Sequence, residues 1–154
     1  MNQTTGKAIT TKSTFSRETS VSTTIQADPG IVWALLTHAA DYPRWNSTVT
    51  SLTGNIRQGE TIELKSTLDP KRTFKLKVKE IVPEKRLVWG DAQGSRVYAI
   101  DKGEGGTVLF TMREKIGGPL FPLFAGMIPS FDESFEKFAA DLKREAETIQ
   151  RSKT

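Results

Sequence analysis

The chain has no cysteine and one histidine, His38, among its 154 residues. Without cysteine there is no disulfide framework, no thiolate nucleophile and no Cys-ligated zinc or iron–sulfur site. With one histidine a two-His metal motif is excluded, and any Ser–His arrangement has a single candidate. His38 follows an apolar helical stretch with only Asp41 near it in the chain, the setting of a helix-end or surface residue rather than a catalyst. Residues 1–14 lack the apolar run of a secretory signal. The longest uncharged apolar stretch, Ile116 to Phe131, contains Pro119, Pro122 and Pro129. It is shorter than the ~18–20 residues of a membrane-spanning helix, and the prolines interrupt it. The expectation is a soluble cytoplasmic protein with no transmembrane segment, no metal and no cofactor.

What is present suits one globular domain. A mass of 17.1 kDa falls in the ~100–200-residue range of single domains, and a chain of that size builds a core without staples. The net charge of +4 is not spread evenly. Residues 61–116 hold twelve Lys/Arg against eight Asp/Glu, while both flanks are near balance. Lys75, Lys77 and Lys79 alternate with Phe74, Leu76 and Val78, the period of a half-buried strand. The lysines then share a solvated face, a commoner arrangement than a phosphate-binding stripe.

Residues 1–12 are polar, Thr-rich and without periodicity, and are expected to form a loose arm preceding a single domain over 13–151. β-branched residues from Phe15 to Gln26 predict a first strand. Asp28-Pro29 then offers an N-cap and a proline at the first helical position, and Ile31, Val32, Leu35 and Leu36 carry a short helix. Pro43 and its neighbours indicate a turn or second short helix. Six strand-like runs follow between turn signals, from Val49 to Ile116, with connections short enough for an antiparallel meander. Finally Phe131, Phe135, Phe138, Leu142, Ala146 and Ile149 recur at steps of three and four, one apolar stripe on a helix of roughly twenty residues. Ser130 and Glu133 match a capping box ahead of it, and Asp132, Glu136, Asp141, Arg144 and their neighbours supply the wet face.

The expected fold is therefore α+β: a seven-stranded curved antiparallel sheet covered by the long C-terminal helix, with two short helices between strands one and two. Only that helix is long and amphipathic enough to cover the sheet's apolar face. Where it presents small or loosely packed side chains, a concave apolar space is left, as ligand cavities usually are.

The segment Ile25-Gln26-Ala27-Asp28-Pro29-Gly30-Ile31-Val32-Trp33, the aromatic turn Asp41-Tyr42-Pro43-Arg44-Trp45-Asn46, the Gly105-Gly106-Thr107 turn, Gly117-Gly118 and the 142–147 tail resemble the START/SRPBCC helix-grip superfamily, near its polyketide cyclase/dehydrase-like branch. The resemblance covers residues 15–150. It implies a cavity between sheet and C-terminal helix that takes a hydrophobic small molecule, and it places Leu64, Phe74, Leu76, Trp89, Tyr98, Met112, Phe131 and Phe135 near that cavity. Plain core is the competing reading for each, since aromatic and Met positions at strand or helix period are commonly core. In the apolar stretch 119–128, Phe121, Phe124 and Met127 are candidates for a hydrophobic lip over the mouth, with Met127 adaptable. A loop packed on its own core and a partner surface are the alternatives. Trp33, Trp45 and Asn46 read as buttresses of the short helices.

For chemistry the candidates are Tyr98, Asp91 and Arg96. Glu80, which follows Phe74, Leu76 and Val78 in the alternation, is a further inward-facing possibility, and Arg113 and Glu114 close the penultimate stretch. A carboxylate against an apolar wall has a raised pKa and can act as a general acid or base, whereas a strand-end carboxylate in an ion pair does not. Three functions follow. The first is a carrier or sensor of a lipid, polyketide or aromatic metabolite. The second is a polyketide cyclase or dehydratase working largely by positioning. The third is a protein-interaction or chaperone-activator-like module. The small basic excess and the lack of a recognition helix argue against nucleic acid; a monomer and a dimer are equally compatible with the sequence.

Overall fold

The period-two runs of the sequence form a single antiparallel sheet. In the computed structural model, which describes residues 5–153, β1 spans Ile9–Lys12, β2 Ser16–Ile25, β3 Val49–Thr53 and β4 Thr61–Ser66. β5 spans Phe74–Val82, β6 Arg86–Gly90, β7 Gly94–Lys102 and β8 Val108–Gly117. The helices are α1 Pro29–Thr37, α2 Tyr42–Trp45, α3 Phe121–Phe124 and α4 Asp132–Ser152. The strand order is β1-β2-β8-β7-β6-β5-β4-β3. This curved sheet gripping α4 is the helix-grip fold.

The sheet has eight strands, not the seven expected, because part of the supposed arm is ordered. Ile9–Lys12 pairs with Arg17–Ser20, and Thr5 bridges to Thr23; residues 1–4 lie outside the described residues. Polar bonds stand in for the apolar period that this stretch lacks. The Ala8 amide donates to Glu136 at 2.9 Å, and the Thr10 hydroxyl meets Thr19 at 2.9 Å and donates to Asp132. These tie the edge strand to α4.

Three local expectations change. Val78 lies opposite Trp89 but Glu80 lies opposite Val88, a bulge that inserts one residue and reverses the facing. Glu80 therefore points outward to Arg86 at 3.0 Å, and Ile81, opposite Leu87, takes the apolar parity. The capping box does not form. α4 starts at Asp132 after Phe131, Ser130 Oγ accepts from the Asp132 amide at 3.2 Å, and Glu133 pairs with Lys137 instead. Asp141, assigned above to the wet face, is buried and accepts from the Ser47 amide and hydroxyl, both at 2.7 Å.

α4 is held hard at its middle. Phe138 is 1% exposed and its ring centre lies 5.6 Å from Tyr98, 5.9 Å from Trp45, 6.3 Å from Tyr42 and 6.4 Å from Phe110. Such aromatic pairs add to area burial. Asn46 fixes the same level: its amide nitrogen donates to the Phe138 carbonyl at 3.4 Å, and its oxygen accepts from the Thr48 amide and hydroxyl. Along the β2 side, Lys143 donates to the Thr24 carbonyl at 2.6 Å, and Glu147 accepts from the Gln26 amide at 2.9 Å and from Lys143 at 2.8 Å.

Two stability outcomes follow. Phe138→Ala removes the residue on which four rings converge and should cost about 3–5 kcal/mol in urea unfolding; a loss under about 1 kcal/mol would contradict its central place. Burial pushes the Glu147 carboxyl up, but the bonds from Gln26 and Lys143 outweigh it and hold its pKa below the ordinary 4.5. A depressed folded-state pKa gives stability that is present above pH 4.5 and lost as the pH falls below it. Glu147→Gln should therefore cost about 1 kcal/mol at pH 7 and less at pH 3. A gap between wild type and variant that stays constant with pH would contradict this.

Candidate functional site

Beyond the Phe138 level, toward the N-terminal turn of α4, the sheet and helix separate. A cavity of about 230 Å³ lies there. Its floor is the inward face of the central strands: Leu64 on β4, Phe74 and Leu76 on β5, and Trp89 on β6. Val49 and Thr48 close one side, and Ile116 the other. Its roof is the approach to α4, Met127, Ile128, Pro129 and Phe131, with Ser134 from the first turns of the helix. Asp69, Arg72, Gln93 and Met127 line it from exposed positions and so mark the mouth. Arg72 lies over the Phe74 ring at 4.4 Å.

The strand pairing explains the floor. Parity along β7 puts Gly94, Arg96 and Tyr98 on the inner face, and along β8 Phe110, Met112, Glu114 and Ile116; Arg96 lies directly opposite both Trp89 and Glu114. Gly94 is forced: a Cβ there would come within 2.5 Å of the Ile116 side chain and 2.6 Å of the Lys115 carbonyl.

One ion pair interrupts the apolar wall. Arg96 Nε donates to Glu114 Oε1 at 2.6 Å, the two side chains being only 15% and 19% exposed. The guanidinium also sits over the Phe135 ring at 5.0 Å. Burial opposes the Arg96 charge, but Glu114 and the Tyr98 hydroxyl more than offset it, and its pKa lies above the ordinary guanidinium value. Burial likewise raises the Tyr98 phenol, with Arg96 pulling the other way. At neutral pH the arginine in the wall is thus charged and the phenol behind it is protonated. Neither moves a proton readily.

The roof is anchored from the sheet. Arg17, buried on the inner face of β2, donates to the carbonyls of Ile128 at 3.2 Å and Pro129 at 2.7 Å and lies over the Phe131 ring at 5.0 Å.

Of the residues singled out in the sequence, Leu64, Phe74, Leu76, Trp89, Asp91, Arg96, Glu114, Met127 and Phe131 line this cavity. Tyr98, Met112 and Phe135 do not. They are fully buried in the packed half, where the Tyr98 ring lies 5.1 Å from that of Trp89. Phe121 and Phe124 are also outside the lining and pack edge-to-face on each other at 5.7 Å within α3. Asp91, proposed to move protons, has its Oδ1 occupied by the amides of Gln93 at 2.9 Å and Gly94 at 3.1 Å, and so closes the β6–β7 turn. Arg17, Arg72 and the roof residue Pro129 were not anticipated, and Ile128 only as the end of the apolar stretch 119–128. Parity with Val21 and Ile25 on β2 marks Arg17 as inward-facing; no comparable signal exists for the others, which lie in irregular segments.

Among solved structures, a protein from Nitrosomonas europaea is 16% identical with a TM-score of 0.68, the match covering 92% of this chain and 99% of that one. A START superfamily protein from Mycobacterium smegmatis is 14% identical with a TM-score of 0.64, covering 86% and 98%. DynU16, from the dynemicin biosynthetic locus, is 17% identical with a TM-score of 0.63, covering 86% of this chain but 48% of its own. These likenesses concern the fold. No curated protein matches the sequence. The profile of the family of polyketide cyclases/dehydrases and lipid transport proteins matches residues 16–147, and with that span covering nearly every strand and most of α4, the chain belongs to this family.

Proposed function

We propose that the protein binds a hydrophobic small molecule, a lipid, polyketide or aromatic metabolite, in the cavity between β4–β8 and the start of α4, as a carrier or sensor. The observation that carries this reading is the cavity itself: where the start of α4 leaves the sheet, the space is walled by Leu64, Phe74, Leu76, Trp89 and Phe131. Apolar lining with a few fixed polar groups is the usual composition of small-molecule sites. At about 230 Å³ it is smaller than the ~300–1,000 Å³ common for such pockets. It suits a small ring system, or one end of a longer molecule that leaves through the mouth.

The cyclase reading draws support from Arg96 and Glu114 facing the same space. Against it, Arg96 is held charged, Glu114 is already paired and the Asp91 carboxylate serves a turn. Binding without proton transfer accounts for all three. An interaction module would use the exposed Leu120, Leu123 and Met127 but leaves the cavity without a purpose.

The neutral fluorophore N-phenyl-1-naphthylamine tests this. The wild type should give saturable one-to-one fluorescence enhancement, and Leu76→Trp, which fills the floor, should weaken it at least about tenfold while the melting temperature holds. Absence of saturable binding to the wild type, or equal binding by a folded Leu76→Trp, would overturn the proposal.

A further inference from the structure

Resting on the cavity-binding reading above, the geometry points to a ligand class: a neutral apolar molecule bearing one hydroxyl, as an alcohol, phenol or enol, held by the Arg96–Glu114 pair. We infer this from what the pair has used and what it has left. Arg96 spends Nε on Glu114 Oε1 at 2.6 Å, also engages the Tyr98 hydroxyl, and lays its face on the Phe135 ring, which still leaves guanidinium N–H groups unused. Glu114 accepts at Oε1 only, among the bonds of the described residues. Both side chains line the cavity. The wall therefore offers guanidinium N–H donors and one carboxylate oxygen acceptor side by side, a combination that a hydroxyl matches with its lone pairs and its proton.

The same pair discriminates against charged ligands. A carboxylate meeting Arg96 must approach Glu114, and an ammonium meeting Glu114 must approach Arg96; either brings like charges together in an apolar wall, where screening is weak. A purely apolar ligand leaves both groups stripped of water and without new partners, which is costly. The other charged side chains in the lining are Asp69 and Arg72, exposed at the mouth and of opposite sign, and Asp91, whose Oδ1 closes the β6–β7 turn; together they add no net positive charge that would favour a carboxylate. The pair is poor value as a stability element, because a well-packed apolar replacement generally serves as well. A binding role explains why it interrupts the floor beside Trp89.

Three naphthalene probes test the inference by displacing N-phenyl-1-naphthylamine: 2-naphthol, its near-isostere 2-methylnaphthalene, and 2-naphthoate. Expected is that 2-naphthol binds tighter than 2-methylnaphthalene, although the methyl compound is the more hydrophobic, and at least about tenfold tighter than 2-naphthoate. In Glu114→Gln, which keeps an acceptor oxygen, adds an amide donor and removes the negative charge, 2-naphthoate should gain at least about tenfold relative to 2-naphthol. The inference is overturned if 2-methylnaphthalene or 2-naphthoate binds the wild type as tightly as 2-naphthol, or if no probe displaces the fluorophore. It is likewise overturned if a folded Glu114→Gln leaves the order of the three unchanged. The wild-type series decides alone should that variant not fold. In each case the fluorophore still binds and the cavity reading stands; if the fluorophore itself does not bind, that reading falls and this inference with it.

Discussion

The whole arrangement depends on where α4 is allowed to touch the sheet. Phe138 meets rings from α2, β7 and β8 at centroid distances of 5.6–6.4 Å, and Asn46 and Asp141 bond the α2–β3 junction to the same stretch of helix. Interiors close-packed in this way transmit position rather than absorb it. With its middle fixed there and one side bonded to β1 and β2, the helix has no freedom to settle onto β4 and β5 at its N-terminal end. The gap that remains is the cavity. Packing at one level and hollowness at the next have a single cause.

The roof follows the same logic. A chain leaving β8 at Gly117 and entering α4 at Asp132 must cross the open end of the gap, and its prolines keep it from becoming one helix. Arg17 holds the far part of that crossing through two carbonyls. Leu120, Leu123 and Met127 are left exposed, so the segment expected to be a lip, a packed loop or a partner surface divides its residues. Phe121 packs inward, Met127 borders the mouth, and Leu123 faces outward.

Much of this was legible in the sequence because two periodicities are strong. Alternation over 74–78 placed Phe74, Leu76 and Val78 on one face, and steps of three and four along α4 selected Phe135, Phe138, Leu142 and Ala146, all buried. What periodicity cannot carry is whatever breaks or bypasses it. The bulge after Val78 reversed Glu80, and β1 forms through side-chain bonds to α4 rather than through an apolar pattern. Asp141 is buried by a partner nearly a hundred residues away in the chain. The division of the apolar residues into packed half and cavity half was not readable either. Tyr98 and Trp89 have the same pattern and parity on neighbouring strands, and only the position of α4 makes one core and the other lining. The inward facing of Glu114 was within reach, since it continues the parity of Phe110 and Met112.

The central claim is that the space beneath the start of α4, and no other surface, takes the ligand. Methyl NMR during titration with N-phenyl-1-naphthylamine tests it most directly. The account predicts saturable shifts at Leu64, Leu76, Ile116 and Ile128, which line the cavity, with Leu36 and Leu142 in the packed half unmoved. Shifts strongest at the exposed Leu120 and Leu123, or none at the four cavity methyl residues at saturation, would contradict it.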